Sequence, residues 1–249
     1  MRKVFRGDLN RFKRLCELYK NQNRNFEIKQ SGSVAIIILD NREMFFKEKN
    51  ENKQIPILCK SVINDVRKWQ TKNETIKLES KKVVFHNKNN IKNNIGKLVV
   101  GYDIVSCYWE IAFRDHLISK KTYELGVENK SARTLAIGNL NKRTFKITYK
   151  GSKEIKEIIN SKYSSAYNYI IKEVQIMYNE LKEIFKDEIL SWRTDCIYLS
   201  NSTNEKQIEK YFETKSLKIK KSYVKIIECK KHKAIVQNIE KDKTIVWNV

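Results

Sequence analysis

Two aspartates stand inside stretches that otherwise have the composition of buried strands. Asp103 interrupts Leu98-Val-Val-Gly-Tyr-Asp-Ile-Val, and Asp195 interrupts Trp192-Arg-Thr-Asp-Cys-Ile-Tyr-Leu. An ionised carboxylate in an apolar strand costs free energy unless positive charge compensates it. Laid side by side, the two strands would bring the carboxylates within a few ångströms and make a cradle for Mg²⁺ or Mn²⁺. Such ions prefer a few carboxylates, water and substrate phosphates to a complete protein cage. Two ions about 4 Å apart would activate an attacking oxygen and stabilise a leaving one. Taken singly, each acid reads better as a turn residue or as the salt-bridge partner of a nearby lysine. The matching contexts favour a joint role.

The rest of the chain supplies a scaffold for two such strands. Leu9, Phe12, Leu15, Cys16 and Tyr19 are spaced for a helix over 8–21. The run Ser33–Asp40 predicts a buried strand, turned at Asp40-Asn41-Arg42 into another around 43–47. Pro56 is placed to open a helix over 57–70. Short strands are expected at 76–78 and 83–85, and the Asn-rich His86–Asn94 reads as a loop and a domain boundary. Beyond it come a strand over 97–106 and a helix from Ser106 through Trp109, Ile111 and Phe113. Further helices are predicted over 130–139 and 154–185; Ile155, Ile158, Ile159, Tyr163, Tyr167, Ile170, Val174, Met177, Leu181 and Ile184 carry the second. Residues 189–199 read as one strand with Asp195 in its middle. A short helix over 205–212 and strands around 217–228, 233–238 and 243–248 complete the chain. Helices mixed with antiparallel-looking strands make the class α+β. The expected organisation is an N-terminal α/β region of unknown role, 1–95, and a catalytic domain, 96–249.

Lys and Arg outnumber Asp and Glu by 51 to 29, a formal charge of +22. A positive field of this size attracts polyanions, nucleic acid above all, with binding that weakens as salt rises. Coding bias toward lysine and asparagine adds to the count but seldom leaves so many charges unbalanced. The lysines are spread along the chain, which disfavours a membrane-surface helix. No stretch approaches the roughly 20 apolar residues of a membrane span. The charged N-terminus lacks the apolar block of a signal peptide, so a soluble, cytoplasmic protein is expected. The 5 cysteines and 3 histidines are scattered without a C-x-x-C pair. That pattern disfavours a zinc site or a disulfide framework.

Asp103-Ile-Val-Ser-Cys-Tyr108 resembles the D-x-x-S-L-Y signature, motif A, of family B DNA polymerases. Thr194-Asp195-Cys196 is similar to the T-D-S end of that family's D-T-D-S signature, motif C. Lys130-Ser-Ala-Arg133-Thr-Leu-Ala-Ile-Gly-Asn139-Leu140 more loosely resembles its fingers helix. The resemblance covers residues 97–235 and implies a polymerase palm-like antiparallel sheet with packed helices and a small fingers insertion around 115–150.

Carried over residue by residue, the resemblance implies that Asp103 and Asp195 bind magnesium, with the Ile104 carbonyl as a further ligand. Ser106 and Cys107 would turn backbone N–H groups toward a nucleoside triphosphate at a helix start. Tyr108 would lie under the sugar and exclude a 2′-hydroxyl. Lys130 and Arg133 would reach phosphates, and Lys142 and Arg143 are further basic candidates. Lys230, Lys231 and Lys233 fall where the family carries a basic segment at the primer end of its primer–template DNA. The motif departs from the family at Arg193, where an acid is expected, and at Trp109, where proline usually follows the tyrosine. At 249 residues, no proofreading domain is expected beside the palm. The short chain suggests a compact phage or mobile-element protein with a protein primer or a replication partner. Two other functions fit the same residues. An RNase H-like two-metal nuclease would need a third acid from Glu110, Asp115 or Glu188. A catalytically inactive palm would only bind nucleic acid, and Arg193 is its best support.

Overall fold

The computed structural model describes residues 5–31, 34–47, 54–72, 76, 84–200 and 205–249. The chain runs β1 (Phe5–Gly7), α1 (Leu9–Asn21), β2 (Phe26–Ser31), β3 (Val34–Leu39), β4 (Arg42–Lys47), α2 (Gln54–Gln70), β5 (Val84–His86), α3 (Lys88–Asn93) and β6 (Leu98–Ile104). It continues through α4 (Cys107–Arg114), α5 (Lys120–Gly126), α6 (Lys130–Leu140), β7 (Arg143–Lys150), β8 (Lys153–Asn160) and α7 (Ser164–Phe185). A 3₁₀ turn (Lys186–Glu188) leads into β9 (Ile189–Arg193), β10 (Cys196–Ser200), α8 (Glu205–Thr214), β11 (Ile219–Cys229), β12 (Lys233–Asn238) and β13 (Lys243–Asn248). The class is α+β. Among the described residues no helix is long and apolar enough to cross a membrane. Most of the expected strand at 76–78, and Val83, lie outside the described residues.

Two compact units are present, and each is assembled from two separate stretches. One holds Met1–Lys68 with Leu125–Tyr167, the other Trp69–Glu124 with Asn168–Val249. The expected division at residue 95 is therefore corrected. Strand β7 hydrogen-bonds to β2 with Ile28 opposite Ile147, so residues of the expected catalytic half complete the N-terminal sheet. Backbone groups of an open edge must find partners, and here the partner strand comes from more than 100 residues away.

The first unit carries a six-stranded sheet in the order β1-β4-β3-β2-β7-β8, antiparallel except where β1 pairs with β4. The Asp40-Asn41 turn between β3 and β4 is left-handed at both residues, as a two-residue hairpin with the sheet's twist requires. Helix α1 is capped by Asp8, whose side chain accepts the Arg11 N–H at 2.7 Å. It buries Phe12 and Cys16 against Ala35, Ile37 and Phe46. Residues 154–160 are strand rather than the start of the predicted long helix. Gly151, at φ +58°, lets the chain reverse after Lys150, and pairing with β7 then overrides a spacing of isoleucines that suited a helix equally well.

The second unit carries a seven-stranded antiparallel sheet in the order β13-β12-β11-β6-β10-β9-β5. Strand β6 is central, with β10 and β11 on its two sides. Its Val99 joins Tyr198, Val224, Val236 and Trp247 in one core. The Asn-rich stretch expected as a loop is instead helix α3. Asn87 caps it by accepting the Asn90 N–H at 3.1 Å, and Ile91 is fully buried in the same core. That apolar anchor outweighs the weak helix propensity of asparagine. Ile170, Ile171, Val174, Met177 and Leu181 of α7 are buried as well.

Candidate active site

Residues 189–199 form a hairpin, β9 and β10, rather than the single strand expected. Arg193 pairs with Cys196, and Thr194 and Asp195 make the turn between them. Thr194 has φ +58°, and the Asp195 N–H donates to the Arg193 carbonyl at 2.7 Å, closing a three-residue turn. Threonine is β-branched, so this backbone is strained. Across the sheet Cys196 faces Asp103, and the Ile104 N–H donates to the Asp195 carbonyl at 2.8 Å. The two aspartates therefore stand at the same end of neighbouring strands.

Neither aspartate is buried as the strand reading supposed. Asp103 is exposed and Asp195 partly so, because both lie where their strands run out into solvent. The carboxylates share their surroundings with two buried thiols. Burial raises the Cys107 thiol far above its ordinary value, and Asp195 and then Asp103 add to the effect. Burial likewise pushes the Cys196 thiol up to about 12, again with both carboxylates adding. Each thiol senses both acids, which puts all four groups in one neighbourhood.

Beyond Asp103 the chain turns sharply. The Val105 N–H bonds to the Lys218 carbonyl at 2.9 Å, and Ser106 adopts a left-handed conformation at φ 54°, ψ 34°. Helix α4 starts at once, with Cys107 and Trp109 buried and Tyr108 half-exposed between them. A backbone strained on both sides of an acid pair is a pattern common at functional sites. Asp103, Ile104, Ser106, Cys107, Tyr108 and Asp195 are thus gathered at one end of the sheet.

Register adds one cation that the spacing of residues along the chain did not reveal, Lys220, and places Arg193 in the same row. Val84, Arg193, Cys196, Asp103 and Lys220 lie opposite one another on successive strands. Paired residues share a face with Cβ atoms about 5 Å apart. Exposed Lys220 is therefore beside Asp103, while Arg193 lies two strands away on the other side. Lys220 was missed because only the pairing of β6 with β11 brings it there.

The other basic candidates divide between the two units. Lys130, Arg133, Lys142 and Arg143 belong to the first unit, whereas the aspartates belong to the second. Arg133 is committed locally, donating to the carbonyls of Gly126 and Val127 ahead of its own helix. Lys230, Lys231 and Lys233 lie in and beside the β11–β12 hairpin, ten residues along β11 from Lys220. At about 3.3 Å per residue this is roughly 30 Å from Asp103, at the opposite end of the sheet. The expected contact of these three with a primer end beside the aspartates does not fit that placement.

Of the three further acids, two have side-chain partners of their own and the third lies at the far end of β9. Glu110 accepts the Tyr123 hydroxyl at 2.9 and 3.1 Å. Asp115 pairs with Arg114 at 2.7 Å, and Glu188 precedes β9 at the end remote from Asp195. Among the described residues no group of three or more His, Cys, Asp or Glu is arranged to hold a metal. The carboxylates of exposed Asp103 and partly exposed Asp195 are hard oxygen donors of the kind Mg²⁺ or Mn²⁺ takes, a set that would leave the remaining positions to water and phosphate. No family model, curated protein or solved structure matches this chain.

Proposed function

We propose that the protein is a metal-dependent nucleotidyltransferase, a minimal DNA polymerase-like enzyme that adds nucleotides to a 3′-hydroxyl. The observation that carries this reading is the register setting Asp103 opposite Cys196, with Asp195 in the adjoining turn. The order of parts supports it: an acid-bearing central strand, a sharp turn into a helix, and a hairpin with the second acid at its tip. That order is what motifs A and C of a polymerase palm imply. The net charge of +22 supports a nucleic-acid substrate.

In this reading Asp103 and Asp195 hold the divalent cations, which when bound supply Lewis-acid stabilisation at the phosphorus and its oxygens. The first turn of α4, starting at Cys107, presents backbone N–H groups to the triphosphate. Tyr108, half-exposed beside it, contacts the sugar. Lys220 adds positive charge next to the carboxylates.

The test is extension of a labelled primer–template with Mg²⁺ or Mn²⁺ and deoxynucleotides, alongside Asp103→Asn and Asp195→Asn. A loss on the order of 100-fold or more in both variants is expected. Shortened products in place of extension would indicate a nuclease. Binding without chemistry in the unaltered protein would favour the inactive palm. Arg193, in the same row as Asp103, is the structural observation on that side.

A further inference from the structure

Strand β8 closes one edge of the six-stranded sheet, and every residue from Lys153 to Asn160 is exposed. Ile155, Ile158 and Ile159 are 39%, 57% and 45% exposed. Sheet edges of this kind are templates for pairing, and proteins commonly blunt them with charge. The charges on β8 have a particular order. Lys153-Glu154-Ile155-Lys156-Glu157 inverts its signs when reflected about Ile155.

We infer that β8 is an interaction surface for a second copy of this chain, the two six-stranded sheets joining antiparallel with a two-fold axis at Ile155. In that register Lys153 faces the partner's Glu157, Glu154 faces the partner's Lys156, and the two copies of Ile155 meet. Symmetry makes each charged pair occur twice.

The backbone permits this register, and the charges single it out among those permitted. Lys150 pairs with Lys153 across the two-residue Gly151-Ser152 turn. Alternation in an antiparallel ladder then directs the N–H and C=O groups of residues 153, 155, 157 and 159 toward β7. Glu154, Lys156 and Ile158 present theirs to the open edge. A two-fold axis at Ile155 sets residue 154 against residue 156, so outward groups meet outward groups. A two-fold perpendicular to the sheet also keeps each side chain on its own face. Centring it on Glu154, Lys156 or Glu157 would instead oppose like charges, and centring it on Ile158 would pair no opposite charges. Within one copy the charges are already held along the edge, Lys156 to Glu154 at 2.8 Å and Lys146 to Glu157 at 3.4 Å. Both copies carry +22, so the contact forms where salt shortens the reach of that repulsion to about 8 Å, near 0.15 M. A single strand pair covers less than the ~1,000 Å² of a stable interface, so association should be weak and concentration-dependent.

The test is sedimentation of the full chain at about 0.15 M salt and concentrations up to about 200 µM. The unaltered protein should show a monomer–dimer equilibrium. Lys156→Glu, which places a like charge against the partner's Glu154 in both symmetry-related pairs, should weaken the dimer about tenfold. Lys153→Glu should do the same through an independent pair, and Glu154→Lys with Lys156→Glu should restore association by exchanging the signs. In Ile155→Cys the two thiols meet at a non-hydrogen-bonded pair, about 4.5 Å between Cα atoms, and should cross-link under mild oxidation. Circular dichroism on each variant separates lost pairing from lost folding. A monomer at every concentration would overturn the inference. So would a dimer that Lys156→Glu, Lys153→Glu and the exchanged pair leave unchanged.

Discussion

Asp103 and Cys196 stand opposite each other across β6 and β10, and this one register decides what surrounds the acid pair. A slip of one residue would turn Asp103 to the other face of the sheet. In the register observed, Asp195 lies one residue away in the turn, and Lys220 lies directly across β11.

Lys220→Ala should tighten Mn²⁺ binding to the resting protein. Lys220 is a neighbouring cation that opposes a divalent ion at Asp103, but it is solvent-exposed and therefore screened. An effect of about two- to fivefold is expected at low ionic strength, disappearing in high salt. Titration of free Mn²⁺ by electron paramagnetic resonance measures it. Unchanged affinity at low salt would mean that the two side chains do not act on the same ion. Asp103→Asn should lose the binding altogether.

Thr194→Gly should stabilise the fold and slow the proposed reaction. The +58° φ of Thr194 strains a β-branched residue, and glycine removes that strain. After the entropy cost of glycine, a net gain of about 1 kcal/mol is expected in urea unfolding. The same change loosens the turn that carries Asp195, so primer extension should fall. A destabilised variant would contradict this account of the turn.

Two glycines should respond oppositely to alanine. A Cβ on Gly101 would lie 2.8 Å from Cε1 of Tyr198 and 2.8 Å from Oγ of Ser222. The Tyr198 ring packs on Trp247 at 4.7 Å between centroids and has little room to retreat. Gly101→Ala should cost about 1–3 kcal/mol. Gly138, near the end of α6, has nothing within 4 Å of an added Cβ. Gly138→Ala should gain about 0.5–1 kcal/mol. Chemical denaturation of both variants measures the contrast.

Stability should fall above about pH 9. Burial raises Cys16 to about 11 and Cys196 to about 12 from an ordinary 9.0, and Tyr102 and Tyr169 to about 12 from 10.0. The unfolded chain releases these protons first, so it binds fewer of them than the folded chain in this range. The resulting stabilisation is complete below about pH 9 and is lost as pH rises toward 11–12. Urea midpoints at pH 8 and pH 10.5 should differ accordingly, and equal midpoints would refute the burial argument. At pH 8 the thiols of Cys107 and Cys196 should resist a disulfide reagent until the protein unfolds.

Local chemistry alone determined part of this fold. The periodic apolar face of α1, the Asp40-Asn41 turn, the apolar run of β6 and the helix after Ser106 are short-range features, and short-range preferences were enough to place them. The two aspartates also stood out, though for a reason the fold replaces, since both reach solvent at strand ends instead of lying buried. Where local signals were ambiguous, tertiary structure decided. Ile155, Ile158 and Ile159 suit a helix face or a strand, and β7 made them a strand. The Asn-rich stretch suited a loop until Ile91 found a core. Register is set by pairing between residues far apart, such as Ile28 with Ile147 or Asp103 with Cys196 and Lys220. No window along the chain contains both partners, so the neighbours of the acid pair appear only when the sheet closes around β6.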